Sequence, residues 1–326
     1  MTISTAPADS TILVLVDHTG GTVRPPVLEL LTLARSIGRA EALWIGDGVE
    51  PVLDTLAAHG ASTVHRAPAD ARGLVPTVAG TVAAVVERTG AQVVLLSSTF
   101  ENKEIAARVA LATQAALVVD AAGVERVEGR LVTTQAAFAG TWTLRGEVTT
   151  DRAVVAVKPN AVPALAVDGA ARPDVVEHPA VPTQAGPDVT LVERVERAAS
   201  GRPELGEAQA VVVGGRGTNG DFSAVEDLAD ALGAAVGATR VATDEGWIGH
   251  EAQIGQTGVT VSPRLYVGAG VSGAVHHRGG MQSSGTIVAV NSDPESPIFE
   301  IADYGIVGDL FTVLPQAAAE IRRLRG

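Results

Sequence analysis

A glycine-rich turn next to two histidines is the part of this sequence best suited to holding a ligand. Gly268, Gly270 and Gly273 form a G-x-G-x-x-G pattern after an apolar run that predicts a strand, and His276 and His277 follow where a helix is predicted to begin. Backbone N–H groups of such a turn bind phosphate oxygens. The pattern predicts an anion site, although glycine contributes 36 of the 326 residues and the spacing alone is a weak signal.

Polar side chains follow the next predicted strand. That strand, Thr286–Asn291, ends in Asn291, and Asp293 comes shortly after it. Both fall at the carboxyl end of the predicted sheet, where open α/β folds bind ligands. Asp293 also stands at the distance from Gly273 at which nicotinamide enzymes place a ribose-binding carboxylate. A nicotinamide-dependent dehydrogenase is therefore one interpretation, although no acid–base pair for hydride transfer accompanies the turn.

A second glycine turn opens the same half of the chain. The run Gly214–Gly217 follows the predicted strand Ala208–Val213 and contains Arg216 between glycines. A predicted helix, Ser223–Leu232, comes next, with Ser223 as its N-cap in a capping box. Strand, glycine turn and capped helix together are typical of an entry to a nucleotide-binding unit.

The composition predicts an acidic, soluble α/β protein. The net charge is −13, which argues against a surface for nucleic acid or an anionic membrane. The chain has no cysteine, so disulfides and thiolate-held metals are excluded. The remaining histidines lack ligand spacing, so we expect no metal.

Nothing in the sequence predicts insertion into a membrane. No apolar run reaches the ~18 residues that span a bilayer, and the first ten residues lack the features of a signal peptide. We therefore expect the protein in the cytoplasm.

The order of elements predicts two α/β domains. Strands and helices alternate up to about residue 120, which predicts a parallel sheet with right-handed crossovers. Three β-branched runs, Arg130–Phe138, Thr141–Val148 and Ala153–Lys158, predict an antiparallel edge. Prolines make most of Asn160–Gly206 an extended linker, with one further strand predicted at Val189–Val195. We place an N-terminal domain at 1–205, with the linker at about 160–205, and a C-terminal Rossmann-like domain at 206–326.

The C-terminal half resembles the α subunit of electron transfer flavoproteins. The likeness rests on LYVGAGVSGAVHHRGGM followed by TIVAVN and ADYGIVGDLF, together with Gly214–Gly217, Thr239-Arg240 and Gln253–Gly258. It covers the chain from about Ala208 onward, whereas the N-terminal half matches the family only in its order of elements. The resemblance implies a noncovalent FAD, held mostly by the C-terminal domain, that carries electrons one at a time. It also implies a β-subunit partner, donor dehydrogenases and an acceptor oxidoreductase.

The resemblance assigns roles at two ends of the cofactor. Arg216, Thr239 and Ser272 would meet the FAD pyrophosphate, since a guanidinium and a helix N-terminus both stabilise phosphate oxygens. The alternative for Arg216 is an exposed turn charge. Asn291, Asp309 and Leu310 would hold the adenosine end, and the alternative for Asp309 is an N-cap of the last helix.

At the flavin end, Arg240 would lie against the isoalloxazine and raise the potential of the first reduction step, because a permanent cation favours the anionic one-electron-reduced ring. Its alternative is a surface salt bridge with Asp244 or Glu245. Gln256 and Thr257 would bond the polar edge of the flavin, and His277 its O2 atom. His276 stands where the family usually has glutamine. The full set of predicted cofactor residues is Arg216, Thr239, Arg240, Gln253, Ile254, Gly255, Gln256, Thr257, Ser272, Gly273, Ala274, Val275, His276, His277, Asn291, Asp309 and Leu310.

The sequence therefore predicts the α subunit of a heterodimeric electron transfer flavoprotein, an electron carrier without catalytic residues of its own. Two alternatives stay open: the nicotinamide-dependent dehydrogenase, and a non-catalytic module that binds an adenine nucleotide.

Overall fold

A computed structural model describes residues 10–69, 74–138, 140–181, 192–193 and 201–325. The chain divides into two compact units. Unit 1 contains residues up to Gln135 and the segment Thr143–Glu196, and unit 2 contains Ala136–Trp142 and the residues from Arg197 onward. The predicted boundary near residue 205 stays a prediction.

Unit 1 is an α/β structure built on a nine-stranded sheet. Its elements are β1 (Thr11–Leu15), β2 (His18–Thr19), β3 (Thr22–Val23), α1 (Pro25–Ile37), β4 (Arg39–Ile45), α2 (Leu53–His59), β5 (Thr63–Ala67), α3 (Val75–Thr89), β6 (Val93–Ser97), α4 (Phe100–Thr113), β7 (Ala116–Val127), β8 (Arg130–Ala137), β9 (Trp142–Glu147), β10 (Ala153–Val157) and β11 (Asp174–Glu177).

The sheet runs in the order β11-β5-β4-β1-β6-β10-β7-β8-β9. All strands from β11 to β7 in this order pair in parallel, and β8 is antiparallel to β7. The predicted parallel sheet with an antiparallel edge is confirmed. One strand was placed wrongly, because Ala153–Val157 is not in the antiparallel edge but lies in parallel between β6 and β7. Its residues are all buried, as expected for an interior parallel strand.

Both faces of the central strands β1, β6 and β10 are covered, so consecutive residues of these strands are buried and almost all apolar. Ile12 and Val14 point into the core on the side of α1, whereas Leu13 and Leu15 point into the core that α3 and α4 cover. Trp44 is fully buried in the first of these cores. Burial on both faces explains why the sequence shows continuous apolar runs here and no alternation of apolar and polar residues.

The segment predicted as an extended linker contains a strand. Residues Asp174–Glu177 form β11, which pairs in parallel with β5 at the edge of the sheet. The side chains of β11 are all exposed, so main-chain hydrogen bonds hold it and the sequence carries no burial pattern to reveal it. Pro173 and Pro179 lie outside its ends, as an edge strand allows. Most of the predicted strand Val189–Val195 lies outside the described residues.

Unit 2 is a five-stranded, all-parallel sheet between two helical layers. The strands follow the order β13-β12-β14-β15-β16. The elements of unit 2 are β12 (Ala210–Gly214), α5 (Ser223–Leu232), β13 (Ala235–Ala238), α6 (Arg240–Asp244), β14 (Leu265–Ala269), α7 (Val275–Met281), β15 (Thr286–Asn291), β16 (Tyr304–Val307) and α8 (Leu310–Arg325).

Two cores fix these strands. Residues of α5 and α8 pack on one face of the sheet, and Ile254, Met281 and Ile298 pack on the other. Strand β16 was not predicted, because its four residues are all exposed at the sheet edge and give no burial pattern. Among the described residues, no helix is both long and apolar enough to cross a bilayer.

The predicted capping box at α5 is wrong. Phe222 precedes the helix and makes no side-chain cap, and Ser223 is already helical. The Ser223 N–H instead donates to the Asp221 carboxylate at 2.9 Å. The side chain that accepts a hydrogen bond from a backbone N–H at the start of α5 is therefore that of Asp221, and not that of Ser223.

Candidate functional site

A cleft of about 680 Å³ opens at the carboxyl ends of the strands in unit 2. The segments that follow β12, β13, β14, β15 and β16 all contribute to its wall. This is the edge where a parallel α/β sheet leaves room for a ligand, because its helices turn away from the strand ends. The volume lies within the range of cofactor sites, about 300–1,000 Å³.

Glycines form the floor of the cleft because two chain segments touch there. A Cβ on Gly215 would lie 2.3 Å from the carbonyl oxygen of Gly270, and a Cβ on Gly217 would lie 2.7 Å from the Gly270 Cα atom. The Gly217 N–H donates to the Gly270 carbonyl at 3.1 Å. The turns after β12 and β14 can therefore meet only if these positions lack side chains.

The turn after β14 presents backbone donors to the cleft. Gly273 adopts a φ of +79° and lies so close to Ile298 that a Cβ would be 2.6 Å from its backbone nitrogen. Among the described residues, none accepts a hydrogen bond from the amides of Ser272, Gly273 or Ala274. Three neighbouring N–H groups without a protein acceptor suit an anionic oxygen.

Two arginines line the cleft, one without a partner in the described part of the chain and one in an ion pair. The Arg216 side chain is exposed and forms neither a hydrogen bond nor an ion pair with any described residue. Arg240 forms an exposed ion pair with Asp244, with Nε 3.1 Å from Oδ2, so the predicted alternative contact of Arg240 is present. Asp244 also lines the cleft, and this pair screens part of the positive charge there.

The loop before β14 is held by a buried glutamine. Gln253 accepts a hydrogen bond from the Thr243 hydroxyl at 2.8 Å, and its Nε2 lies 3.0 Å from the Thr257 hydroxyl. Gly258 packs so tightly that a Cβ would be 2.3 Å from the Gln253 carbonyl oxygen. Gln253 therefore positions Thr257, which lines the cleft, without lining it itself.

The two adjacent histidines differ sharply. His276 is exposed, and its Nδ1 lies 2.9 Å from Oε1 of Gln256. His277 is 6% exposed, with Nδ1 3.1 Å from the Ile254 carbonyl and Nε2 2.7 Å from the Tyr266 hydroxyl. Burial lowers the pKa of His277 to about 4. Both ring nitrogens of His277 therefore already have protein partners, and the ring is neutral near pH 7.

The far end of the cleft is formed after β15 and β16. The Asn291 amide donates to the Val271 carbonyl and to the Ser296 hydroxyl, both at 3.0 Å. Asp309 accepts from the Phe311 N–H at 3.1 Å at the start of α8, so it caps that helix. The N-cap alternative for Asp309 is thus realised while the residue also lines the cleft.

Comparisons with known proteins agree on one family. A model of the electron transfer flavoprotein domain matches residues 12–183, and a model of the electron transfer flavoprotein FAD-binding domain matches residues 204–282. The chain belongs to the electron transfer flavoprotein α-subunit family. The resemblance inferred from the sequence is confirmed, and the FAD-binding model covers the cleft-lining segments from Arg216 to His277.

Curated relatives match over nearly the whole chain. The electron transfer flavoprotein subunit α of Mycobacterium leprae is 43% identical over 96% of this chain and 99% of its own length. That of Syntrophomonas wolfei is 38% identical over 95% of this chain and 98% of its own length. That of Paracoccus denitrificans is 51% identical over a shorter stretch, 44% of this chain and 48% of its own length.

The cleft gathers most of the residues predicted for the FAD of this family. Three of the predicted residues do not line it: Gln253 lies beneath the loop, whereas Gln256 and Val275 are exposed. The FAD contacts themselves stay predictions. The predicted residues that do line the cleft are Arg216, Thr239, Arg240, Ile254, Gly255, Thr257, Ser272, Gly273, Ala274, His276, His277, Asn291, Asp309 and Leu310.

Further residues of the cleft were not in the predicted set. Five of them lie within two residues after the end of a strand, which is the signal that had already pointed to Asp293 and that could have found the other four. No group of three or more His, Asp or Glu among the described residues is placed to hold a metal ion. The additional lining residues are Gly217, Asn219, Val241, Asp244, Gly270, Val271, Val290, Ser292, Asp293, Ser296 and Gly308.

Proposed function

We propose that this chain is the α subunit of a heterodimeric electron transfer flavoprotein that works in the cytoplasm. It binds FAD noncovalently in the unit 2 cleft and passes electrons one at a time from dehydrogenases to an acceptor oxidoreductase. The observation that carries the proposal is a cleft with unpaired donors inside the segment that the FAD-binding family model matches. The β subunit of the family is the partner with which it forms the heterodimer.

The donors without protein partners suit the pyrophosphate of FAD. Arg216 and the amides of Ser272, Gly273 and Ala274 supply positive charge and N–H groups. The hydroxyls of Thr239 and Ser272 have no hydrogen-bond partner among the described residues either. A diphosphate satisfies such donors together, because its oxygens are all acceptors.

The remaining wall orients the two ends of the cofactor. FAD supplies the redox chemistry when it is bound, because its isoalloxazine accepts and releases electrons singly. Arg240 and Thr257 both line the cleft, and Gln253 holds the Thr257 hydroxyl by a hydrogen bond. Asn291 and Asp309 line the wall where the adenosine end is proposed.

The nicotinamide interpretation of the G-x-G-x-x-G turn has less support. Besides the glycine spacing itself, the feature that favoured it was the position of Asp293, whose carboxylate accepts from the Glu295 N–H at 3.0 Å in a local turn. The turn instead falls within the stretch matched by the FAD-binding model.

Purification of the full chain with its co-expressed β subunit tests the proposal. We expect a yellow complex whose absorption spectrum is that of a flavin, with about one FAD bound in the α-chain cleft and released on denaturation. A reductive titration should show two separate one-electron steps. A colourless complex that does not take up FAD would refute the proposal, and tight NAD binding in its place would revive the dehydrogenase alternative.

We also propose that the boundary between the two domains lies near residue 205. Limited proteolysis of the complex should then leave a fragment that starts near residue 205 and retains the flavin. Cleavage that begins inside unit 2 and releases the flavin would place the boundary elsewhere.

A further inference from the structure

A buried tyrosine and histidine form a pair directly behind the cleft wall. The Tyr266 side chain is fully buried in β14, and its hydroxyl lies 2.7 Å from Nε2 of His277 at the start of α7. His277 contributes to the cleft, whereas Tyr266 does not. Tyr266 can therefore act on a ligand only through His277.

The partners of His277 determine which ring nitrogen carries the proton. The carbonyl oxygen of Ile254 can only accept, so Nδ1 of His277 must donate to it. In the neutral ring Nε2 is then the acceptor, and the Tyr266 hydroxyl donates to it. Burial raises the pKa of Tyr266, so its proton stays available for this bond.

No charged group of the surrounding elements is paired with this ring. On α7, His276 bonds to Gln256, and Arg278 pairs with Glu300 at 2.9 Å. In α6, which also lines the cleft, Arg240 and Asp244 pair with each other. The loop that supplies Ile254 has no charged residue from 252 to 259. Protonation of His277 would thus place an uncompensated charge in a buried site.

We propose that Tyr266 is a positioning residue that fixes His277 as a neutral imidazole with its proton on Nδ1. At position 277 the cleft wall then carries neither a positive charge nor a free ring N–H donor. This differs from the expectation that His277 donates to a flavin oxygen. A neutral His277 also has a consequence for the flavin potential, and this consequence rests on the proposed FAD function. The reduction potential of the bound flavin does not depend on titration of His277 between pH 5 and 8.

Substitution of Tyr266 can separate the effect of its hydroxyl from the effect of its aromatic ring. Tyr266→Phe keeps the ring and removes the donor to Nε2, so the neutral form of His277 loses a hydrogen bond and the pKa of His277 rises by about one unit. Tyr304→Phe is the matched control, because Tyr304 is the only other tyrosine of the chain and is 67% exposed on β16. The control should leave His277 unchanged.

The measurement uses the full chain with its β subunit, labelled with ¹⁵N at histidine, with and without FAD. Ring ¹⁵N–¹H correlation spectra should show wild-type His277 in the Nδ1–H form from pH 5 to 8, assigned by loss of the signal in His277→Gln. In the flavin-loaded Tyr266→Phe protein, the first reduction potential should acquire a pH-dependent step at the raised pKa of His277.

An Nε2–H form or an imidazolium in the wild type overturns the inference, and that result needs no variant to fold. An unchanged pKa of His277 in folded Tyr266→Phe overturns it as well. A complex that binds no FAD contradicts the proposed function instead, while the spectra of the unloaded protein still decide the state of His277.

Discussion

Each unit buries histidines, but with different partners. In unit 1, Nε2 of His65 lies 2.8 Å from a carboxylate oxygen of Glu41, and Nδ1 lies 2.9 Å from Nε2 of His178. In unit 2, His277 meets only a phenol and a backbone carbonyl. His65 therefore has a buried carboxylate as a partner, and His277 has none among the described residues.

In unit 1, the side chains of Arg39, Glu41, His65, Arg88 and His178 form a closed cluster, in which each polar side chain has a partner within the cluster. Arg39 binds the second oxygen of Glu41 at 2.9 Å, and Arg88 lies 3.3 Å from Nδ1 of His178. Burial alone would raise the pKa of Glu41, but the hydrogen bonds and charges of His65 and Arg39 outweigh it and hold that pKa below its ordinary value. His178 directly follows β11, His65 lies in β5 and Arg88 lies in α3. The cluster therefore links the end of β11 to β5 and α3.

In unit 2, by contrast, several hydrogen-bond donors at the cleft have no protein partner in the described part of the chain. The Arg216 side chain and the amides after Val271 have no protein partners among the described residues. The difference shows how to tell a structural polar cluster from a ligand site: the first satisfies its own donors and acceptors, and the second leaves them unpaired at strand ends.

The largest expected effect is on the closed cluster. Glu41→Ala removes the carboxylate that a buried His65 ring N–H and the Arg39 guanidinium share, so we expect the free energy of unfolding of unit 1 to fall by about 4 kcal/mol, measured by urea denaturation. Glu125→Ala is the control, since Glu125 pairs with Arg145 on the exposed surface and should cost no more than about 1 kcal/mol. Equal losses in the two variants would contradict a buried, closed cluster.

The lack of a counterion at His277 predicts a pH dependence of unit 2. Burial lowers the pKa of His277 from 6.5 to about 4, so below pH 6.5 the unfolded chain binds a proton that the folded chain does not. Stability is therefore fully present above pH 6.5 and falls on acidification, by about 3 kcal/mol at pH 4.

Thermal unfolding between pH 4 and 8 measures this effect, with His277→Gln as the comparison. Burial, followed by the charges of His65 and Arg88, also lowers the pKa of His178, and that contribution is present in both proteins. The difference between their pH profiles therefore isolates His277. Identical profiles would mean that His277 titrates normally in the folded state.

The open donors of unit 2 predict a loss of ligand affinity. Removing the guanidinium in Arg216→Ala should weaken FAD binding by about 2 kcal/mol, or roughly thirtyfold, because a charge-assisted hydrogen bond to phosphate is lost. Isothermal titration of the FAD-free complex measures it. Arg323→Ala should bind FAD normally, because Arg323 pairs with Glu320 along α8, and weakening in both variants would point to a general charge effect.

Arg240→Ala is expected to have the smallest effect. Its charge is exposed and paired with Asp244, so its removal should leave FAD bound and lower the potential of the first reduction step by the equivalent of about 1 kcal/mol. Potentiometric titration measures this potential. An unchanged value would show that Asp244 already neutralises Arg240 at the flavin.

Local signals were sufficient for most of the fold. Apolar runs between glycine turns predicted the strands of both parallel sheets, because burial on both faces leaves a continuous apolar run. Two of the strands that the sequence missed, β11 and β16, are held by main-chain hydrogen bonds at sheet edges and have exposed side chains. The direction of β10 was missed because its pairing partners lie far away in sequence.

The sequence by itself determined the family, the two α/β sheets and the segments that meet at the cleft, since these depend on motifs and on strand ends. Only the tertiary structure decided the state of individual side chains. The neighbouring histidines look alike in sequence, yet His276 is exposed and His277 is neutral and fully bonded. That difference comes from Tyr266 and Ile254, because burial and partners supplied by distant segments set the protonation of a side chain.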